Sequence, residues 1–134
     1  MSFSDYLELK ILELITGKTV YTAGDTLPQT WVGLSTADPL DTGSGLAEPV
    51  GGAYARVATT ATDWATAAAG SISNATILTF AAATASWGTI THFAIFDALT
   101  AGNLLGSGIL TVSKTVGNGD TVSFAVGQLT ITLN

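Results

Sequence analysis

From Trp31 onward, apolar and polar residues alternate in short runs separated by turn-forming clusters, a period of two that suits β-strands and not helices. The runs fall at 31–36, 54–63, 70–80, 89–97, 104–112, 120–126 and 128–133. In 54–63 the alternation puts Tyr54, Arg56 and Ala58 on one face, against Ala55, Val57 and Thr59. The run 89–97 is the strongest, with Ile90 and His92 expected on one face and Phe93 and Ile95 on the other. Short spacers such as TAGN and VGNGD read as turns. Many short strands at regular spacing predict a mainly β fold, an antiparallel β-sandwich or jelly-roll. No internal repeat is visible, and 134 residues suit a single domain over 1–134.

One helix precedes the strands. Leu7, Ile11, Leu14 and Ile15 share a helical face, Ser4 is placed as N-cap, and Asp5 and Glu8 sit where the helix dipole favours negative charge. Gly17 is placed to close the helix, so 1–17 reads as an N-terminal amphipathic α-helix. Tyr6, Leu9 and Leu12 widen its apolar surface beyond a narrow stripe. The expectation is that it plugs the end of the sandwich, with a contact to a neighbouring subunit as the sharper reading. Residues 37–53 form a long break containing Pro39 and Pro49, expected to be the most exposed and mobile segment and to order only against a neighbour. The alanine-rich stretches 65–70 and 81–86 read as close-packed connections.

Composition narrows the function. Charged residues make up 10% of the chain, against roughly 25% in a typical soluble domain. Mean hydropathy is +0.46, yet no apolar run approaches the ~18 residues of a spanning helix. The net charge of −6, with only Lys10, Lys18, Arg56 and Lys114 as cations, argues against nucleic acid as a partner. The opening SFSDYLELK lacks the pattern of a signal peptide, so synthesis in the cytoplasm is expected and no membrane partner is assigned. A weakly charged surface of threonine, serine, glycine and small apolar residues suits a component of an assembly, and copies of the chain itself are the first expected partner.

The residues that could carry chemistry do not assemble in the sequence. His92 is the only imidazole and the chain has no cysteine, which removes disulfides, thiolate chemistry and cysteine-bound zinc. Asp38, Asp41 and Glu48 offer oxygen ligands for calcium, but their spacing is not that of an EF-hand and turn formation explains them more simply. Asp41-Thr-Gly has no second copy to make a protease dyad. Gly43-Ser-Gly45 and Gly117-Asn-Gly119 lack the lysine and following helix of a phosphate loop, so both read as turns. Trp31, Trp64 and Trp87 would form a sugar platform if gathered on one exposed face, and otherwise anchor a core or an interface. No catalytic residue, metal ligand or cofactor-binding residue is assigned.

Four blocks carry a resemblance: SDYLELKILELITG, WVGLSTADPLDTGSGLAEPVGGAYARV, WGTITHFAIFDALTAGNLL and LTVSKTVGNGDTVSFAVGQLTITL. In this order the chain resembles a family of small virion proteins of tailed bacteriophages and prophages, labelled tail fibre or minor structural protein. The strings L-S-T-A-D-P, G-x-Y-A-R and G-T-I-T-H-F-A-I-F-D carry most of the specificity. The resemblance implies a non-enzymatic structural role in the virion, with a capsid decoration or cement protein as first reading. A tail fibre or tail-attached carbohydrate-binding module is the alternative. The implied partners are other copies of the chain, three by analogy with such proteins, and the major capsid protein or tail components.

Overall fold

The computed structural model describes residues 2–18 and 29–132. Met1, and Leu133 at the expected end of the last strand, lie outside the described residues. The described chain is mainly antiparallel β with a single N-terminal helix, in the order β1 (Ser2–Phe3), α1 (Asp5–Ile15), β2 (Thr30–Ser35), β3 (Val57–Thr59), β4 (Ser71–Ser73), β5 (Leu78–Thr79), β6 (Gly88–Phe96), β7 (Leu104–Val116), β8 (Ser123–Phe124) and β9 (Thr130–Thr132). A five-stranded sheet runs β1-β7-β6-β2-β3, and two short ladders pair β4 with β9 and β5 with β8. The two halves are therefore unequal: one broad sheet against two ladders. The predicted run 70–80 divides into β4 and β5 at the buried Asn74.

Val32 and Leu34 of β2, Phe93 and Ile95 of β6, and Leu78, Phe80, Val122, Phe124 and Leu129 from the ladder side form one hydrophobic cluster. Its aromatic members meet edge-on, Phe124 against both Phe80 and Phe93 with ring centroids 6.4 and 6.3 Å apart. Ile90 belongs to the same cluster, so it faces with Phe93 and Ile95 and not with His92 as strict alternation required. The cause is an irregularity in the ladder. Ile90 pairs with Lys114, but His92 pairs with Ile109, so β7 has extra residues at 110–113 and the alternation of β6 shifts by one.

The helix begins and ends where the sequence places it. Ser4 Oγ accepts from the Leu7 N–H at 3.3 Å, and Gly17 closes the last turn in the left-handed region while Lys18 N donates to Glu13 O at 2.9 Å. It does not plug the sandwich. None of its residues is buried; among the described residues it lies beside β7, and Asp5 N donates to Asp41 O at 3.3 Å. The reason is local. β1 pairs with Gly106 and Ser107, the Ser4 N–H donates to Leu105 O, and the Ser4 hydroxyl donates to Leu104 O, so the helix is pegged outside the sheet from its first residue.

The break 37–53 is likewise not a loose excursion. Pro39 and Pro49 are buried, Ala47 N donates to Ser35 Oγ at 3.0 Å, and Thr36 N donates to Ala47 O at 3.0 Å. It orders against its own sheet, without a neighbouring subunit. Ser35 does the joining, because its hydroxyl also donates to Ala37 O at 2.7 Å and so ties the start of the break to Ala47.

Candidate functional site

The motif-bearing strings converge on one place. Arg56, from G-x-Y-A-R, is 8% exposed and pairs with Glu48 through Nε to Oε1 at 2.9 Å and Nη2 to Oε2 at 2.6 Å. Its Nη1 donates to the carbonyls of Ala98 and Ala101, both at 2.8 Å, gripping the turn between β6 and β7. The guanidinium lies 3.4 Å from the centre of the Phe96 ring, so its planar face is covered as well. Tyr54 Oη donates to Glu48 Oε1 at 2.8 Å and accepts from Leu34 N at 2.9 Å. Burial raises the Tyr54 phenol well above its ordinary value; the Leu34 N–H opposes this, and the neighbouring Glu48 carboxylate adds to it.

Gly33 explains how a bidentate ion pair fits on the face of a sheet. A Cβ there would stand 2.9 Å from Glu48 Oε1, 2.9 Å from Phe96 Cε2 and 3.1 Å from Tyr54 Oη. Only glycine leaves this space. The knot therefore joins β2, the long break, the segment before β3, and the β6–β7 turn. Both Glu48 oxygens are occupied, and Nε, Nη1 and Nη2 of Arg56 all have acceptors. Such a pair holds structure together and offers neither a free base nor a free nucleophile.

Beside the knot is an open cleft of about 610 Å³, lined by Asp5 and Tyr6 of the helix, Asp41, Glu48, Arg56 and Asn103 among others. Asp97 accepts from Asn103 N and Asn103 Nδ2, both at 2.7 Å, and so is committed to the turn. A second shallow cleft of about 550 Å³ brings His92 near Asp38, Asp41, Leu40 and Ile109. His92 is half-buried and its Nδ1 lies 2.8 Å from Thr91 Oγ1. Asp38 Oδ1 accepts from Leu40 N at 3.0 Å, an ordinary aspartate turn.

The calcium reading of Asp38, Asp41 and Glu48 is not supported by this geometry. Glu48 is turned into Arg56, and among the described residues no group of three or more histidine, aspartate and glutamate side chains could hold a metal ion. The tryptophans do not make a platform either. Trp87 is in the core, stands edge-on to Tyr54 at 5.3 Å between ring centroids, and donates to Gly52 O at 2.8 Å. Trp64 packs partly against the core and donates to Thr59 Oγ1 at 3.2 Å, while Trp31 is half-buried on β2.

Sequence reasoning missed the Glu48–Arg56–Tyr54 knot. The available signal was the single arginine of a charge-poor chain, lying inside one of its most specific strings. It also missed Asn74, which is fully buried; its Nδ2 donates to Thr76 O at 2.7 Å and Ala125 O at 2.9 Å, and its Oδ1 accepts from Leu129 N at 2.9 Å.

The chain was compared with known protein families. The family model described as "Podophage GP4 fiber I protein gp80" matches residues 2–132. Among curated proteins none matches the chain.

Proposed function

The chain belongs to the family of the podophage GP4 fiber I protein gp80 and is thus a virion component, and from that membership we propose that it is a non-enzymatic building block of the fibre apparatus of a tailed phage. The family match over 2–132 carries the reading. The internal geometry supports it, because the residues that make the chain resemble phage proteins are used to lock the fold, through Arg56 and Glu48, and not to present a reactive centre. In this reading the partners are copies of the same chain and the tail components to which a fibre attaches.

The test is direct. Gold-labelled antibody on purified particles should mark the tail or its fibres, and the protein should co-purify with particles in fixed proportion. Particles that lack the protein altogether would refute a virion role. A second reading, a head decoration or cement protein, is favoured by the compact fold around one core and the lack of repetitive shaft sequence. That reading predicts labelling over the whole head, and capsids without the protein that are lost at lower temperature or on chelation. Labelling confined to the tail refutes it.

A further inference from the structure

Asn118 is followed directly by Gly119, and the two lie exposed in the turn 117–120. Asparagine is a thermolabile residue, because the backbone nitrogen of the next residue can attack its side-chain carbonyl carbon. Glycine in that next place favours the attack most, since it adds no side chain to obstruct the nitrogen and its backbone bends most freely. The other described asparagines are placed differently. Asn74 precedes Ala75, is fully buried and donates its Nδ2 to Thr76 O at 2.7 Å. Asn103 precedes Leu104, and its Nδ2 donates to Asp97 Oδ2 at 2.7 Å.

The fold restrains the attacking group. Gly119 N donates to Ala83 O at 2.7 Å, and Ala83 N donates back to Asp120 O at 2.8 Å. Ala83 is buried, so the Gly119 amide is tied to the body of the domain and not to solvent. The turn is closed a second time around Asp120, whose N donates to Gly117 O at 3.1 Å and whose Oδ2 accepts from Gly117 N at 2.8 Å. Gly119, at φ +88°, supplies the left-handed conformation that the third position of such a turn needs. An amide committed in this way is released only when the turn opens locally.

We propose that Asn118 is a site of spontaneous deamidation, and that the Gly119–Ala83 hydrogen bond sets its rate. In the open turn Gly119 N gives up its proton to water and bonds to Asn118 Cγ, while the side-chain nitrogen leaves as ammonia. The product is a cyclic succinimide. Water then opens the ring: cleavage of the new bond to Cγ leaves aspartate, and cleavage of the original peptide bond leaves isoaspartate. Either product adds a negative charge, and isoaspartate also lengthens the backbone of a turn that closes between Gly117 and Asp120. Neither step depends on what the chain assembles with. Breaking one hydrogen bond of ordinary net strength corresponds to roughly fivefold to tenfold fewer open molecules. The Asp120 bonds add to this, so the folded chain should convert at least about tenfold more slowly than the unfolded one.

Peptide mass spectrometry on the full chain at mildly alkaline pH, with and without urea, reads conversion as the mass gained when NH2 becomes OH. Enzymatic methylation of isoaspartate identifies the product of ring opening. In the folded chain conversion should be confined to Asn118, and in urea it should run at least about tenfold faster there. Asp120→Ala, which removes the side-chain bond to Gly117 N, should speed conversion in the folded chain and leave the rate in urea unchanged. Amide exchange at Gly119 should rise with it. The comparison in urea uses the unaltered chain, so it decides the matter whether or not Asp120→Ala folds. Asn118 that stays intact in either state, converts equally fast in both, or is indifferent to Asp120→Ala in the folded chain would overturn the proposal.

Discussion

Replacing Arg56 by alanine is the sharpest test of what holds this fold together. The substitution removes four hydrogen bonds at once, two to Glu48 and two to the carbonyls of Ala98 and Ala101, together with the stacking on Phe96. Removing one member of a buried pair costs about 3–5 kcal/mol, because the partner is left without compensation. Glu48 keeps the Tyr54 hydroxyl and its side chain is 20% exposed, so water can reach it, which places the expected loss near the lower value. About 3 kcal/mol corresponds to a midpoint lower by roughly 10 °C for a chain of this size. Urea unfolding followed by tryptophan fluorescence reads it, since Trp87 lies in the core beside Tyr54. Arg56→Lys should recover part of the loss only, because a point charge cannot reproduce the bidentate fork or the two carbonyl contacts. Lys10→Ala, which breaks the exposed Lys10–Glu13 pair, should leave the midpoint unchanged. A loss below about 1 kcal/mol for Arg56→Ala would mean the pair is surface decoration, and the account of the knot would be wrong.

The same knot predicts that Gly33→Ala costs about 1–3 kcal/mol through crowding against Glu48 and Phe96, read by the same urea titration. Asn74→Ala should cost about 2–4 kcal/mol, since the buried Leu129 N–H and Ala125 carbonyl lose their partner; amide exchange should rise first at Leu129. Tyr54 is held protonated in the folded state, so its contribution is full below the ordinary phenol value near 10 and is lost as pH rises beyond it. Stability should fall above pH 10 by up to about 1.4 kcal/mol per unit from this group, and Tyr54→Phe should flatten that decline while lowering stability at neutral pH. Asp63 behaves oppositely: the Thr76 hydroxyl, the Thr60 N–H and the Thr60 hydroxyl, in that order, hold its carboxyl below the ordinary range. Its cap is intact above the ordinary carboxylate value and is lost as pH falls through the lowered one, so an acid titration of Asp63→Asn should lack that step.

Much of the fold was legible because it depends on local pattern. The helix from Ser4 to Gly17, β2 and the 117–120 turn follow from periodicity and turn residues that need no distant partner. Alternation failed at Ile90 because the extra residues on β7 lie twenty positions away along the chain. The break 37–53 was misjudged for a similar reason. Its proline and glycine content does encode turns, but whether turns fold onto the body depends on Ser35 and Arg56, whose bonds cross it. Asn74 falls inside the run 70–80 that alternation reads as one strand, and only the return of residues 124–129 makes it a buried hub that divides that run.

The placement of charge connects the knot with the helix. A chain with four cations has put its arginine inside, where it is nearly enclosed, and tied Lys10 to Glu13 on the helix. Large apolar side chains are exposed beside the remaining, mostly acidic, charges: Leu9, Leu12 and Ile15 on α1, Ile109 and Val112 on β7, and Val126 beyond β8. For a freely diffusing domain that arrangement invites aggregation, and soluble surfaces ordinarily avoid it by mixing charges of both signs. For a subunit the same arrangement removes the desolvation cost that buried charges would add to every contact. The enclosed charge is thus valuable where it fixes the shape of the chain, at Arg56. This account would fail if Arg56→Ala left stability unchanged, for then the enclosed charge would not be what fixes the fold.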